Sequence, residues 1–235
     1  MTTSASRKGR TGRKAGSSSL NYWLIGAGVF FIALIGLVIW ANNRPSGTPA
    51  SKVDLPADWV TGMSMGDPAA KVVVQAWEDF LCPHCQDWTA TVEPKLVDEY
   101  VKTGKIRFEY HPLPLQGFQP ASGMAAHAAF CAADQNSFWP YHDLLFATAA
   151  SRGQAGFSLD VLVQNAKELG LDTAQFQQCM TSQQHSADVE ASLAEASQLG
   201  LSSTPSLLIN GKRMGNPFDY ATIQAEIDQL VGAAQ

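Results

Sequence analysis

A Cys-x-x-Cys pair between a strand-like and a helix-like segment is the feature that most constrains the fold of this chain. Cys82-Pro83-His84-Cys85 follows residues 71–77, an apolar and β-branched run that predicts a buried strand. Residues 86–100 are amphipathic and favour a helix, with a bend at Pro94. A first cysteine at such a junction lies at the helix N-terminus, where free N–H groups and the dipole stabilise an anion. The sequence therefore predicts a reactive thiolate at Cys82, with a pKa of about 3.5–7.5 in place of about 8.5.

The remaining elements predict an α/β fold. Residues 106–110 alternate in β fashion, so that strand, helix and strand form a right-handed βαβ unit with two parallel strands. A helical insertion of about residues 115–200 follows. Within it, helices are predicted at residues 122–133, 138–149, 159–169 and 187–199, and at a segment capped by Asp172. A strand at 206–209, a hairpin turn at Asn210-Gly211, a short strand at 213–214 and a helix at 218–231 complete a ββα unit.

The N-terminal part predicts a membrane anchor. Residues 22–40 carry no charge and would span about 28 Å as a helix, close to the hydrocarbon thickness of a bilayer. Basic residues without any acid precede this run, so the N-terminus is expected in the cytoplasm. A cleaved signal peptide would have a shorter apolar run and a better cleavage site. The sequence favours a basic tail at 1–21, a single transmembrane helix at 22–41, a flexible linker at 42–59 and an extracytoplasmic domain at 60–235.

The charge of the exported part argues against a nucleic-acid partner. Residues 45–235 contain ten Lys or Arg and 21 Asp or Glu, which gives a net charge near −11. All four cysteines lie beyond the apolar run, in a compartment where disulfides persist. With Cys82 and Cys85 paired by spacing, Cys131 and Cys179 remain, and one further bridge is arithmetically available.

These features together resemble the thioredoxin-fold, DsbA-like oxidoreductases, especially their membrane-tethered bacterial branch. The resemblance covers about residues 60–232. It depends on Gly66-Asp67-Pro68, on residues 79–85 with the cysteine motif, on the helical insertion and on Thr204-Pro205 ahead of a strand. A lone Cys-x-x-Cys also occurs in zinc sites, but its combination with Thr204-Pro205 is far more specific.

The resemblance implies roles for the motif residues. Cys82 would be the nucleophile and Cys85 the resolving thiol, with Pro83 in the first helical turn. His84, between the sulfurs, would stabilise the Cys82 thiolate and so make the disulfide more oxidising. The bland alternative for His84 is an exposed turn residue without a role.

The same resemblance implies a substrate-binding edge at Thr204 and Pro205. The proline would be cis and packed against the active cysteines, and the Thr204 backbone would pair with a substrate strand. An ordinary trans-proline at the start of a strand is the alternative. Many relatives carry a glutamate six residues before the first cysteine, where this chain has Ala76. Glu78 would point to the same face of a regular strand, either as a buried proton carrier or as a solvated strand-end charge.

For Cys131 and Cys179, export favours a structural disulfide within the insertion, as in some relatives, over two buried free thiols. A four-cysteine zinc site is disfavoured because these two residues form no second close pair. We therefore expect no metal and no cofactor other than the redox-active cysteine pair.

The expected function is a thiol:disulfide oxidoreductase that introduces disulfides into reduced exported proteins. The resemblance implies reoxidation by a membrane quinone-linked oxidase of the DsbB or vitamin K epoxide reductase-like type. We expect a monomer. A reductase or isomerase is the first alternative, although isomerases of the family carry a dimerisation domain for which residues 42–65 are too few. A metal chaperone using Cys82, His84 and Cys85 as soft ligands is the second.

Overall fold

The computed structural model describes residues 54–233 and, nearer the N-terminus, Gly28, Phe30, Leu34 and Ile35. The predicted anchor at 22–41 therefore lies outside the described residues, apart from these four helical positions. Over the part of the chain that the structure describes, none of the helices combines the length and the apolar character needed to cross a membrane. At the other end of the predicted linker, Leu55 packs against the core of the folded domain, and residues Ala57–Trp59 form a helical turn.

A six-stranded mixed sheet forms the centre of the domain. Its strands lie in the order β1-β2-β4-β3-β5-β6. In chain order they are β1 (Val60–Thr61), β2 (Ser64–Gly66), β3 (Val72–Glu78), β4 (Ile106–Pro112), β5 (Ser206–Ile209) and β6 (Lys212–Arg213). The central pair β3 and β4 is parallel and all other neighbours are antiparallel, so the predicted βαβ and ββα units are both present.

The strand β3 is buried because β4 and β5 flank it on both edges and helices cover the sheet. Val72, Val74, Ala76 and Glu78 lie on one face and all four are buried. Such a strand reads as a nearly continuous apolar run, which is why residues 71–77 are recognisable in the sequence. The charged Glu78 at its end is the exception.

Eight α-helices are present among residues 54–233. They are α1 (Pro83–Thr91), α2 (Glu93–Leu96), α3 (Ala121–Ala133), α4 (Phe138–Arg152), α5 (Leu159–Glu168), α6 (Thr173–Thr181), α7 (Ser186–Gln198) and α8 (Tyr220–Ala233). The predicted bend at Pro94 is found as a break between α1 and α2, and a π-helical turn at Val97–Val101 continues α2. Asp172 caps α6 by accepting the N–H groups of Ala174 and Gln175 at 2.9 and 3.0 Å.

Helices α3 to α7 form the insertion, and a disulfide joins two of them. Cys131 in α3 is bonded to Cys179 in α6 across 48 residues of sequence. Both cysteines are buried in the same apolar core as the sheet. The bridge that the sequence analysis favours is therefore present, away from the Cys82 motif.

Candidate active site

The cysteine motif lies where β3 ends and α1 begins. Cys82 is the N-cap residue of α1, and Pro83 occupies the first helical turn. Proline suits this turn because its missing N–H would have no partner there in any helix. The Cys82 N–H donates to the Asp79 carbonyl oxygen at 3.0 Å and closes a tight turn between strand and helix. Cys82 thus lies at a helix N-terminus, where the sequence predicts it.

The two thiols are free, and their surroundings lower the pKa of Cys82 but raise that of Cys85. Cys82 is 5% exposed, whereas Cys85 is fully buried. The pKa of Cys82 is lowered to about 5, mainly by a hydrogen bond from the Cys85 thiol. Burial raises this pKa, but the Thr204 side chain and the backbone N–H groups of Cys85 and His84 lower it further. Burial raises the pKa of Cys85 far above its ordinary value. At neutral pH one sulfur is ionised and the other keeps its proton.

This result agrees with the predicted thiolate but changes its principal cause. The sequence analysis ascribes the low pKa of Cys82 to the helix N-terminus, whereas the structure gives the larger part to the partner thiol. The helix contributes through two backbone N–H groups.

Thr204 and Pro205 lie against Cys82. The peptide bond between them is cis, and β5 begins at the next residue, Ser206. The Thr204 carbonyl oxygen is 3.5 Å from Cys82 Sγ, and the Thr204 side chain is buried. The fold therefore brings two motifs that are 122 residues apart into direct contact.

Glu78 places a buried carboxyl group beside the cysteines. Thr89 of α1 donates to Glu78 Oε2 at 3.4 Å, while Oε1 has no partner among residues 54–233. Burial raises the pKa of Glu78 well above its ordinary value, and the charge on Cys82 raises it further, while hydrogen bonds from Thr89 and Cys85 lower it. Burial beside Cys85 therefore favours the protonated form of Glu78.

This position resolves one alternative that the sequence leaves open. Glu78 is not a solvated strand-end charge, because it is fully buried. Ala76 is buried two residues earlier on the same face of β3. The buried acid on this face of β3 is therefore Glu78, two residues closer to the cysteines than Ala76.

Asp79 is a site residue whose role the sequence analysis did not assign. Its Oδ1 accepts the Leu81 N–H at 2.9 Å, and its Oδ2 accepts the Leu115 N–H at 2.8 Å. The Ser122 hydroxyl lies 2.7 and 2.8 Å from the two oxygens. Burial raises the pKa of Asp79, and these donors offset part of that effect. The carboxyl group ties the turn before Cys82 to the start of the insertion.

His84 is exposed at the surface of the turn. No hydrogen bond joins its side chain to another residue in the described range. Its backbone N–H contributes to the low pKa of Cys82.

Comparison with known proteins identifies the family of this chain. The family described as thioredoxin matches residues 58–229. A probable disulfide bond formation protein D of Bacillus anthracis is 30% identical over 171 residues, which is 72% of this chain and 78% of that protein. Oxidised DsbA of Mycobacterium tuberculosis is 26% identical with a TM-score of 0.56, over 76% of this chain and 91% of that one.

A third similarity concerns the fold alone. Oxidised BdbD of Bacillus subtilis has a TM-score of 0.68 at 21% identity, over 73% of this chain and 93% of that one. DsbA-like oxidoreductases use their own redox-active disulfide in place of a cofactor. The chain belongs to the thioredoxin family and is a DsbA-like thiol–disulfide oxidoreductase.

Proposed function

We propose that Cys82 and Cys85 form the redox-active pair and that the protein passes their disulfide to thiols of exported proteins. The observation that carries this direction is the ionised Cys82, whose pKa is about 5. At pH 7 this ionisation stabilises the reduced protein by about 3 kcal/mol. For a two-electron couple that corresponds to about 60 mV, so the disulfide is a stronger oxidant than one with an ordinary thiol.

The exchange proceeds in two steps. A substrate thiolate attacks Cys82 Sγ, the bond to Cys85 breaks, and Cys85 leaves with the electron pair. A second substrate thiolate then attacks the substrate sulfur of the mixed disulfide, and Cys82 leaves as the thiolate. The substrate loses two electrons and gains a disulfide, while the protein ends with one thiol at Cys85 and one thiolate at Cys82.

Glu78 supplies the proton that Cys85 needs. A thiolate at Cys85 is strongly disfavoured because the sulfur is fully buried. Burial favours the protonated form of Glu78 beside Cys85, so this carboxyl can give a proton to Cys85 as the disulfide opens and accept one from Cys85 when the disulfide re-forms. The protein thus retains a buried acid for this step although Ala76 occupies its usual position.

Thr204 and Pro205 form the substrate-binding edge. The Thr204 backbone lies next to Cys82 Sγ at the start of β5. An extended substrate segment paired with this backbone would bring its cysteine to Cys82, and main-chain pairing tolerates many side chains. Such tolerance suits an enzyme with many unfolded substrates.

His84 acts from the solvent side of the pair. Its exposed imidazole is adjacent in sequence to Cys85 and can donate a hydrogen bond toward the Cys82 thiolate. We expect His84→Ala to make the pair less oxidising in a glutathione titration, and an unchanged potential would remove the side chain from the mechanism.

Bacterial DsbA-like oxidoreductases act in the extracytoplasmic space. For this chain we propose a single-pass anchor at 22–41 with the catalytic domain outside the cytoplasmic membrane, as its uncharged run and basic N-terminal tail favour. A membrane quinone-linked oxidase of the DsbB or vitamin K epoxide reductase-like type would reoxidise the cysteines. Crosslinking of a Cys85→Ala variant in membranes would identify this partner and the substrates as mixed disulfides.

A redox titration of the full-length protein against glutathione tests the direction of electron flow. We expect a reduction potential closer to that of strong oxidants, about −120 mV, than to that of thioredoxin, about −270 mV. The oxidised protein should also form disulfides in a reduced, unfolded test protein. A potential near that of thioredoxin would instead assign a reductase.

A further inference from the structure

Buried polar groups cluster next to the cysteines, and of these only Glu78 has a part in the exchange steps described above. Over residues 54–233, eight buried side-chain atoms lack a hydrogen-bond partner. Half of them belong to this cluster: Glu78 Oε1, Glu93 Oε2, Tyr110 OH and His142 Nε2. Unpartnered buried polar atoms are costly, so their concentration in one place indicates a function or bound water.

The groups form a series from the interior to the surface. Glu93 begins α2 at the break after α1, and its Oε2 is 3.9 Å from His142 Nε2 in α4. The other ring nitrogen, His142 Nδ1, is 3.0 Å from Asp143 Oδ1. His142 is fully buried, whereas the Asp143 side chain is 35% exposed. The imidazole therefore lies between a buried carboxyl group and one that reaches solvent.

Aromatic rings enclose the imidazole. Five rings lie with their centroids 4.9–5.7 Å from that of His142, and they belong to Phe80, Tyr110, Phe138, Trp139 and Phe146. Phe80 also stacks on Tyr110 at 5.1 Å, which ties the cluster to the turn that carries the cysteines. The titratable groups that face Glu93 and His142 are Glu78 from β3, Tyr110 from β4 and Asp143 from α4.

We propose that Glu93, His142 and Asp143 form a proton path between Glu78 and solvent. The inference rests on the proposed function, in which Glu78 exchanges one proton with Cys85 in each half-reaction. Glu78 is fully buried, and in this reduced state burial favours its protonated form, so the carboxylate left after transfer to Cys85 takes up a proton from solvent. During substrate oxidation the proton moves inward from Asp143 through His142 and Glu93, and during reoxidation of the cysteines it moves outward.

Each position suits its part in this path. With the Nδ1–H donating to Asp143, the Nε2 lone pair of His142 is free to accept a proton from Glu93. No direct hydrogen bond joins the carboxyl groups of Glu78 and Glu93 in the described structure. Ordered water is the usual partner of such buried atoms and would carry the proton between them.

The acidities agree with proton transfer in both directions. Burial raises the pKa of Glu93 to about 8, against the lowering effect of His142, while Glu78 and Asp143 raise it further. Burial lowers the pKa of His142, but Glu93 and Asp143 outweigh it, so that the pKa lies above its ordinary value. With a pKa of about 8, Glu93 can both accept and release a proton near neutral pH.

Thr89 offers a competing route. Its hydroxyl contacts Glu78 Oε2 at 3.4 Å, and the residue is half-buried, so a proton could leave through it. The path through Glu93 instead uses the second oxygen of Glu78. The two routes are separable because they use different residues.

Stopped-flow reduction of the oxidised full-length protein by dithiothreitol tests the path. Rates are measured from pH 6 to pH 9, in H₂O and D₂O, for wild type, Glu93→Gln, His142→Gln and Asp143→Asn. Glu109→Gln is the matched control, since Glu109 is a half-buried glutamate on β4 that bonds Gln75 and Arg107. We expect Glu93→Gln and His142→Gln to be about tenfold slower than the control at pH 7, with a larger solvent isotope effect.

The pH profile separates proton transfer from a structural role. Glu93→Gln should lose an inflection near pH 8 that Glu93→Asp retains in part. Asp143→Asn, at a half-exposed position, should slow the reaction about threefold and serves where a buried variant does not fold. Variant rates and profiles equal to those of Glu109→Gln would overturn the path, as would a larger loss in Thr89→Val than in Glu93→Gln. A wild type that fails to oxidise dithiols would instead overturn the proposed function.

Discussion

Cys82 and Cys85 are three residues apart at the junction of β3 and α1, whereas Cys131 and Cys179 are 48 residues apart and join α3 to α6. Both pairs are buried, so burial alone does not distinguish them. The cysteines of the first pair are free. The Cys85 thiol, two backbone N–H groups and the Thr204 side chain lower the pKa of Cys82. The second pair is bonded and packed between helices.

The difference shows that the surroundings of the sulfurs set their reactivity. Near the second pair, the His127 ring lies 3.3 Å from the carbonyl oxygen of Cys179, and burial lowers the pKa of that histidine. Near the first pair, burial raises the pKa of Glu78, which lies beside Cys85. One pair therefore has both a stabilised thiolate and a proton source, and the other links two helices of the insertion.

Substituting the cysteines of each pair by alanine should give the largest difference in activity. Cys82→Ala removes the nucleophile, so oxidation of a reduced test protein should fall at least 1,000-fold, to about the uncatalysed rate. The double variant Cys131→Ala with Cys179→Ala, assayed below its unfolding temperature, should keep most of the activity. Cys85→Ala should accumulate mixed disulfides on non-reducing gels, and their absence would count against the order of attack. Loss of activity in the double variant would show that the second pair is also needed for oxidation, which would contradict separate roles for the two pairs.

Stability should show the reverse contrast. A bridge that closes 48 residues stabilises the fold by up to about 4 kcal/mol in the chain-entropy description. Denaturant unfolding of the double variant should therefore show a loss of a few kcal/mol. A loss below about 1 kcal/mol would mean that the bridge has no structural importance.

The pH dependence of stability should distinguish the oxidation states of the first pair. The pKa of Cys82 is about 5 in the folded protein and about 8.5 in the unfolded chain, so the unfolded chain binds the extra proton between these values. The free energy of unfolding of the reduced protein should rise relative to the oxidised one by about 2 kcal/mol from pH 5 to pH 7. This advantage is lost as the pH falls through 5. Urea unfolding of both forms, with the Cys131–Cys179 bridge intact, measures this difference in the free energy of unfolding. A difference that does not change with pH would refute the low pKa of Cys82.

Removing the hydrogen bond between Ser122 of the insertion and Asp79 of the turn before Cys82 should have the smallest effect on stability. Ser122 of α3 donates to Asp79, so Ser122→Ala removes one donor from a buried carboxyl group and should cost about 1–3 kcal/mol. Oxidase activity should persist, because the Leu81 and Leu115 N–H groups still hold the turn. Ser151→Ala, at an exposed position of α4, is the control. Equal stability of the two variants would show that the link does not hold the turn.

Local patterns predict the elements that have clear boundaries. The strand at 206–209 is found at those residues because Pro205 precedes it and Asn210-Gly211 follows it. The strands β1 and β2 contain two and three residues, too few for a recognisable alternation, and the sequence analysis missed them. Short strands of this kind depend on their neighbours in the sheet.

The site was predictable where residues are adjacent in sequence and not where the fold brings them together. The spacing of Cys82 and Cys85 indicates the redox pair that we propose. The burial of Glu78 depends on α1 and on the core around it, and the bond between Asp79 and Ser122 spans 43 residues. Glu93 and His142 lie on separate helices, and nothing in their local sequence indicates that they meet.

The ionisation of Cys82 is the claim on which the proposed chemistry depends, and its alkylation rate tests that claim most directly. The reduced protein is treated with iodoacetamide over a range of pH, with modification of Cys82 followed by mass spectrometry. We predict a rate that rises with a midpoint near pH 5. A midpoint near pH 8.5, as for an ordinary cysteine, would contradict it.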